Sequence, residues 1–70
     1  MNVEEINVGD RFTFTNDIYG DLFEKVGVVK EVFTYKTPRP FRTHELDIDF
    51  GTGAIHQMTF PNRNLRRVLD

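Results

Sequence analysis

Seventy residues, no cysteine and a formal net charge of −2 describe one small domain. A chain this short buries only about 60% of its unfolded surface, and no disulfide or thiolate metal site reinforces it. The charge excludes a globally basic nucleic-acid coat, though not a local basic patch, and no apolar run exceeds Val28-Val29, far short of a membrane span.

Seven Phe and eleven Val plus Ile stand against one Ala and four Leu. Strand formers outnumber strong helix formers, which predicts an all-β fold over one domain, 1–70, with 1–8 as lead-in. The start, Met1-Asn2-Val3-Glu4-Glu5, is acidic and carries no apolar signal core. With no cysteine to suggest an oxidising compartment, the expected setting is cytoplasmic.

In chain order, Asn2-Val3-Glu4-Glu5 reads equally as a helical turn capped by Asn2 or as a frayed terminus. Val8-Gly9-Asp10 turns the chain into a first strand, 11–15, with Phe12 and Phe14 on one face. Asn16 to Asp21 is turn chemistry. A long second strand, 25–35, changes phase between Val28 and Val29, and Gly27 is the expected site of the bulge this requires. Pro38 and Pro40 then break the pattern and predict an extended, polyproline-like loop over 36–42.

The most informative stretch is Leu46 to Val68. Leu46-Asp47-Ile48-Asp49-Phe50 alternates apolar and acidic within a third strand, 43–50, and Gly51-Thr52-Gly53 turns it. A fourth strand, 54–60, returns, Pro61 to Leu65 makes a corner with a short 3-10 turn, and a last strand occupies 66–69. A three-residue turn pairs Phe50 with Ala54, Ile48 with His56, Leu46 with Met58 and His44 with Phe60. That register buries Leu46, Ile48, Phe50, Met58 and Phe60, with Phe14 and Val28 joining them from the first two strands. It turns His56 inward and Ile55 outward; a bulge near Ala54 would reverse both. A hairpin, a corner and a stub strand predict a five-stranded SH3-like or Tudor-like barrel.

Val8-Gly9-Asp10-Arg11, Gly27-Val28-Val29-Lys30-Glu31-Val32, Leu46-Asp47-Ile48-Asp49-Phe50-Gly51 and Asn64-Leu65-Arg66-Arg67-Val68 follow one another in the order of a known pattern. It resembles the small Tudor-like domain that ends bacterial Rep-type DNA helicases. The chain departs from that family in its longer second loop, Tyr35 to Arg42, and in having no helicase body. The resemblance implies a docking surface for RNA polymerase or other nucleic-acid machinery. A free-standing version would then act as an adaptor or an inhibitor competing for that surface, a role that also suits a viral protein.

Catalytic chemistry finds little to work with. Ser and Cys are both absent. His44 and His56 fall about four rungs apart, roughly 13 Å at ~3.3 Å per residue, too far to share a metal. Glu45, Asp47 and Asp49 repeat at about 7 Å along one strand face, too far to share a proton, and read as a solvated face that discourages edge pairing. Gly51-Thr52-Gly53 precedes a strand rather than a helix, so no phosphate-binding helix end follows it. No catalytic residue, metal or cofactor is expected.

The segment with binding character is Tyr35-Lys36-Thr37-Pro38-Arg39-Pro40-Phe41-Arg42, joined by Arg63, Arg66 and Arg67 from the corner. Tyr35, Lys36, Arg39, Phe41, Arg42, Arg63, Arg66 and Arg67 form the candidate partner-binding set: cations interleaved with aromatics, suited to an acidic protein surface or to base stacking. With no Trp and only two Tyr, a polyproline groove lacks its ring array, and a methyl-lysine cage would need Tyr19, Phe23, Tyr35 and Phe41 to gather. The expectation is a non-enzymatic module that docks on a protein of nucleic-acid-processing machinery. Direct electrostatic nucleic-acid binding is the alternative, and a small enzyme or ligand carrier is the third reading.

Overall fold

A computed structural model describes residues 5–18, 20–40 and 42–69, with the backbone alone for Pro38 and Arg39. The fold is all-β. Five strands, β1 (Arg11–Phe14), β2 (Gly27–Arg39), β3 (Arg42–Asp49), β4 (Ile55–Phe60) and β5 (Leu65–Arg67), form one antiparallel sheet ordered β4-β3-β2-β1-β5. The expected helical turn at Asn2 to Glu5 falls largely outside the described residues. Glu5 itself is exposed and irregular, while Ile6 is buried in the core.

Alternation fixes β3, the strand between β2 and β4. Leu46 and Ile48 are fully buried, while Glu45, Asp47 and Asp49 point to the opposite face. The β3–β4 register is the expected one: His44 faces Phe60, Leu46 faces Met58, and Ile48 faces His56. No bulge intervenes, so Ile55 is exposed and His56 lies half-buried with its ring edge-on to Phe50 at 5.8 Å.

Phe12 and Phe14 supply the core side of β1. Phe14 stacks on Phe50 at 5.3 Å, and Phe12 meets Phe60 edge to face at 5.8 Å. β1 is a ladder neighbour neither of β4, which holds Phe60, nor of β3, which Phe50 follows, so these contacts mean that the sheet curls over its own core. Burying each such ring is worth about 1.5–3 kcal/mol.

Curling does not amount to closure. Among the described residues no pairing joins β4 to β5, so the ladder stays open where a closed barrel was expected. β5 has only three residues, and one of its edges is already taken by β1.

Four finer expectations are corrected. The bulge in β2 lies between Val29 and Glu31, at Lys30, rather than at Gly27. Gly27 instead lies where the strand presses on the core: a Cβ there would collide with Ile48 and Phe50. Because Val29 takes the inward position opposite Ile48, Val28 turns outward beside Asp49 and is half-buried rather than a core residue. Past the bulge, Val32 turns in and Phe33 out.

The polyproline-like loop over 36–42 is not a loop: β2 continues to Arg39, and Arg39 pairs with Arg42 across a tight hairpin. β1 pairs only with Gly27 and Val28, so the far half of β2 has one free edge and needs no ladder bond from Pro38. A second register shift between Thr34 and Arg39 absorbs the irregularity. Finally, the 3-10 turn is not before the last strand. It spans Gly20–Leu22, between β1 and β2, where Leu22 anchors it in the core. Before β5, Asn62 organises an ordinary turn instead, accepting Leu65 N–H on its carbonyl and Asn64 N–H on its side chain.

Candidate functional site

The corner between β4 and β5 is held from both sides. Its first peptide, Phe60–Pro61, is cis. Thr15 donates its backbone N–H to the Asn64 carbonyl at 2.9 Å and its hydroxyl to the Arg63 carbonyl at 3.3 Å. Asn16 donates its side-chain amide to Asn64 Oδ1 at 3.0 Å. On the other side, the Thr43 hydroxyl donates to the Phe60 carbonyl at 3.3 Å, so the start of β3 abuts the start of the corner. Fixing the backbone this way leaves the Arg63 side chain exposed on a rigid support.

Below the corner lies a shallow open groove of about 680 Å³. At its base lie Phe12 and Leu65, both buried in the core, and the half-buried Phe60; Pro61 and Asn62 flank them, and the exposed Arg63 and Arg66 add charge. The groove occupies the gap between β4 and β5 that the ladder does not bridge. An apolar base with a few polar groups at its margin is the usual build of a binding site.

The three arginines of this region do different work. Arg63 and Arg66 are exposed. Arg67 is held: its Nη2 donates to the Glu5 carbonyl at 2.8 Å and lies 3.6 Å from the Asp10 carboxylate, and its guanidinium sits 5.6 Å over the Phe12 ring. It ties the lead-in to β5 and packs on the groove floor, so its charge is largely spent inside the fold.

The second half of the sequence-derived set is spread more widely. Arg42 and Lys36 are exposed on the β2–β3 hairpin. Tyr35 is half-buried and donates its hydroxyl to Glu45 Oε2 at 2.7 Å, which places it on the outer face of the sheet, away from the groove. Phe41 lies outside the described residues, as does Tyr19, and the Arg39 side chain is not described. The gathering of Tyr19, Phe23, Tyr35 and Phe41 therefore cannot be drawn from the described residues.

The outer face has the opposite character. Glu45, Asp47 and Asp49 line β3, Glu31 stands directly across from Asp47, and Phe33, opposite Glu45, is 47% exposed. Among the described residues no group of His, Asp or Glu converges as a metal site would. The imidazoles pack on rings, His44 against Phe60 at 6.2 Å and His56 against Phe50, and the Thr43 hydroxyl lies 2.6 Å from His44 Nδ1.

Of the sequence-derived set, Arg63, Arg66 and Arg67 line the groove, together with Phe12, Phe60, Pro61, Asn62 and Leu65, which that set left out. Phe60, expected in the core, is only half-buried here, while Phe12 beside it is fully covered. No helix among the described residues is long and apolar enough to cross a membrane. No family model matches the chain, and neither a curated protein nor a solved structure matches it.

Proposed function

We propose that this chain is a non-enzymatic, SH3-like or Tudor-like module that docks on a protein through the groove beside β5. The observation that carries the reading is the pairing of partly exposed apolar surface, at Phe60 and Pro61, with the two exposed cations Arg63 and Arg66. Desolvated rings give a contact its energy, and arginines at the margin give it orientation and on-rate. The resemblance to the helicase-terminal domain supplies the partner class, a protein of nucleic-acid-processing machinery. An adaptor or an inhibitor both follow from such a surface.

Charge layout favours protein over nucleic acid. Two free cations at the groove give little purchase on a polyanion, and the carboxylates on the other face of the same sheet repel it. The test is capture from lysate on immobilised wild-type protein and on the double variant R63E/R66E, with nuclease added. Proteins retained by the wild type and lost on the variant are the expected result. Equal retention on both, or retention that vanishes with nuclease, overturns the reading.

A further inference from the structure

Resting on the docking reading above, we infer that the groove takes its partner as an added β-strand: an extended, acidic segment that pairs with the free edge of β5. The backbone bonds show which groups are available. Thr13 faces Arg66, Thr15 N–H donates to the Asn64 carbonyl, and Val68 N–H donates to the Arg11 carbonyl. The Asn64 carbonyl, Arg66 and the Val68 N–H thus turn toward β1, while the Asn64 N–H is taken by Asn62 Oδ1. In an antiparallel pair the alternate residues face the other way, so Leu65 and Arg67 turn theirs toward the groove edge. Leu65 N–H is taken by the Asn62 carbonyl, which leaves the Leu65 carbonyl and the Arg67 N–H and carbonyl to a new strand. Among the described residues no strand pairs there.

An open edge is a template for any extended chain, and the surroundings decide which chain is accepted. All three β5 residues line the groove, so an added strand lies along it. Its alternate side chains face the half-buried Phe60 and the exposed Pro61, and the others meet Arg63 and Arg66. Those positions favour apolar and acidic residues in alternation. A second copy of this chain fits less well: its free-edged strand β4, Ile55-His56-Gln57-Met58-Thr59-Phe60, carries no carboxylate for the arginines, and the free edge of β2 sets Glu31 beside Lys30 with Lys36 further along. Nucleic acid has no backbone ladder to offer the Leu65 carbonyl.

The experiment titrates a capped octapeptide, Glu-Val-Asp-Phe-Glu-Val-Asp-Leu, into the full 15N-labelled chain and reads amide shifts and hydrogen exchange. Shifts centred on residues 60–67 are expected, with exchange at the Arg67 amide slowed at least tenfold at saturation. The same peptide N-methylated at alternate residues, which blocks one bonding edge, should bind at least tenfold more weakly in one of its two methylation phases, and R63E/R66E should weaken the parent peptide by a similar factor. A peptide with Lys for every acid should not compete. Equal binding by both N-methylated forms, or no binding below about 1 mM, overturns strand addition. Arg67 protection that appears with protein concentration alone assigns the edge to a second copy. Tighter binding of oligothymidylate at the same amides assigns it to a polyanion, and either result overturns the inference. If the peptide fails while lysate capture still depends on Arg63 and Arg66, strand addition falls and docking stands. If capture fails too, both fall.

Discussion

The groove beside β5 and the outer face of β2, β3 and β4 are built from one sheet, yet they carry opposite charge and differ in how their apolar groups are covered. β3 makes the contrast plain: Leu46 and Ile48 are fully buried on the core side, and Glu45, Asp47 and Asp49 stand on the other. On the outer face carboxylates are interspersed with Phe33, Tyr35 and Ile55, a pattern that keeps a strand soluble and its neighbours apart. At the groove the chain does the reverse, leaving a half-buried Phe60 and an exposed Pro61 at an unpaired edge beside exposed arginines. The difference teaches that exposure alone does not mark a binding surface here. What sets the groove apart is partly exposed apolar surface, free backbone groups and positive charge in one place.

The largest way to break the contrast is to empty the core side. Phe50 is 4% exposed and stacked on Phe14, so Phe50→Ala should cost about 3–5 kcal/mol, near the whole stability of a domain this size. Urea unfolding measures it, and an unchanged midpoint would contradict the register. Next comes overpacking from the strand side. Gly27→Ala drives a methyl into Ile48 and Phe50 and should cost about 1–3 kcal/mol, whereas a bulge-forming glycine in open space would tolerate it better.

A smaller loss separates Arg67 from its neighbours. Arg67→Leu removes the bond to the Glu5 carbonyl, the contact with Asp10 and the cation over Phe12, and should cost about 1–2 kcal/mol. Amide exchange should rise around Ile6, and Arg66→Leu should leave both quantities unchanged. The smallest effect has the opposite sign. Glu31 and Asp47 face each other directly as like charges, so Asp47→Lys should stabilise the fold by about 0.2–1 kcal/mol. That gain should shrink on adding salt.

Much of the contrast was legible in the sequence. The alternation in Leu46 to Phe50 and the Gly51-Thr52-Gly53 turn were enough for the β3–β4 register, because a one-residue slip would put three carboxylates into the core. The two prolines misled, since their cost depends on whether a second strand flanks β2, and only the topology shows that β1 stops short of Pro38. Gly27 misled for a related reason: a glycine in a strand marks a bulge or a close approach, and choosing between them needs the side chains across from it. The corner was foreseen and its local chemistry was not, because Asn62 can cap a turn or precede a 3-10 turn with the same residues. Arg63, Arg66 and Arg67 look alike in sequence, and only the lead-in's return to Glu5 and Asp10 singles out Arg67.

The central claim is that partners meet the groove and not the outer face. The chain contains no cysteine, so a photo-crosslinker can be placed at one chosen position. Arg63→Cys at the groove rim and Phe33→Cys on the outer face, each carrying a benzophenone, would be irradiated in nuclease-treated lysate. Discrete protein adducts from the groove position and none from the outer face are the predicted result. Adducts from the Phe33 position with the groove position silent would contradict the account.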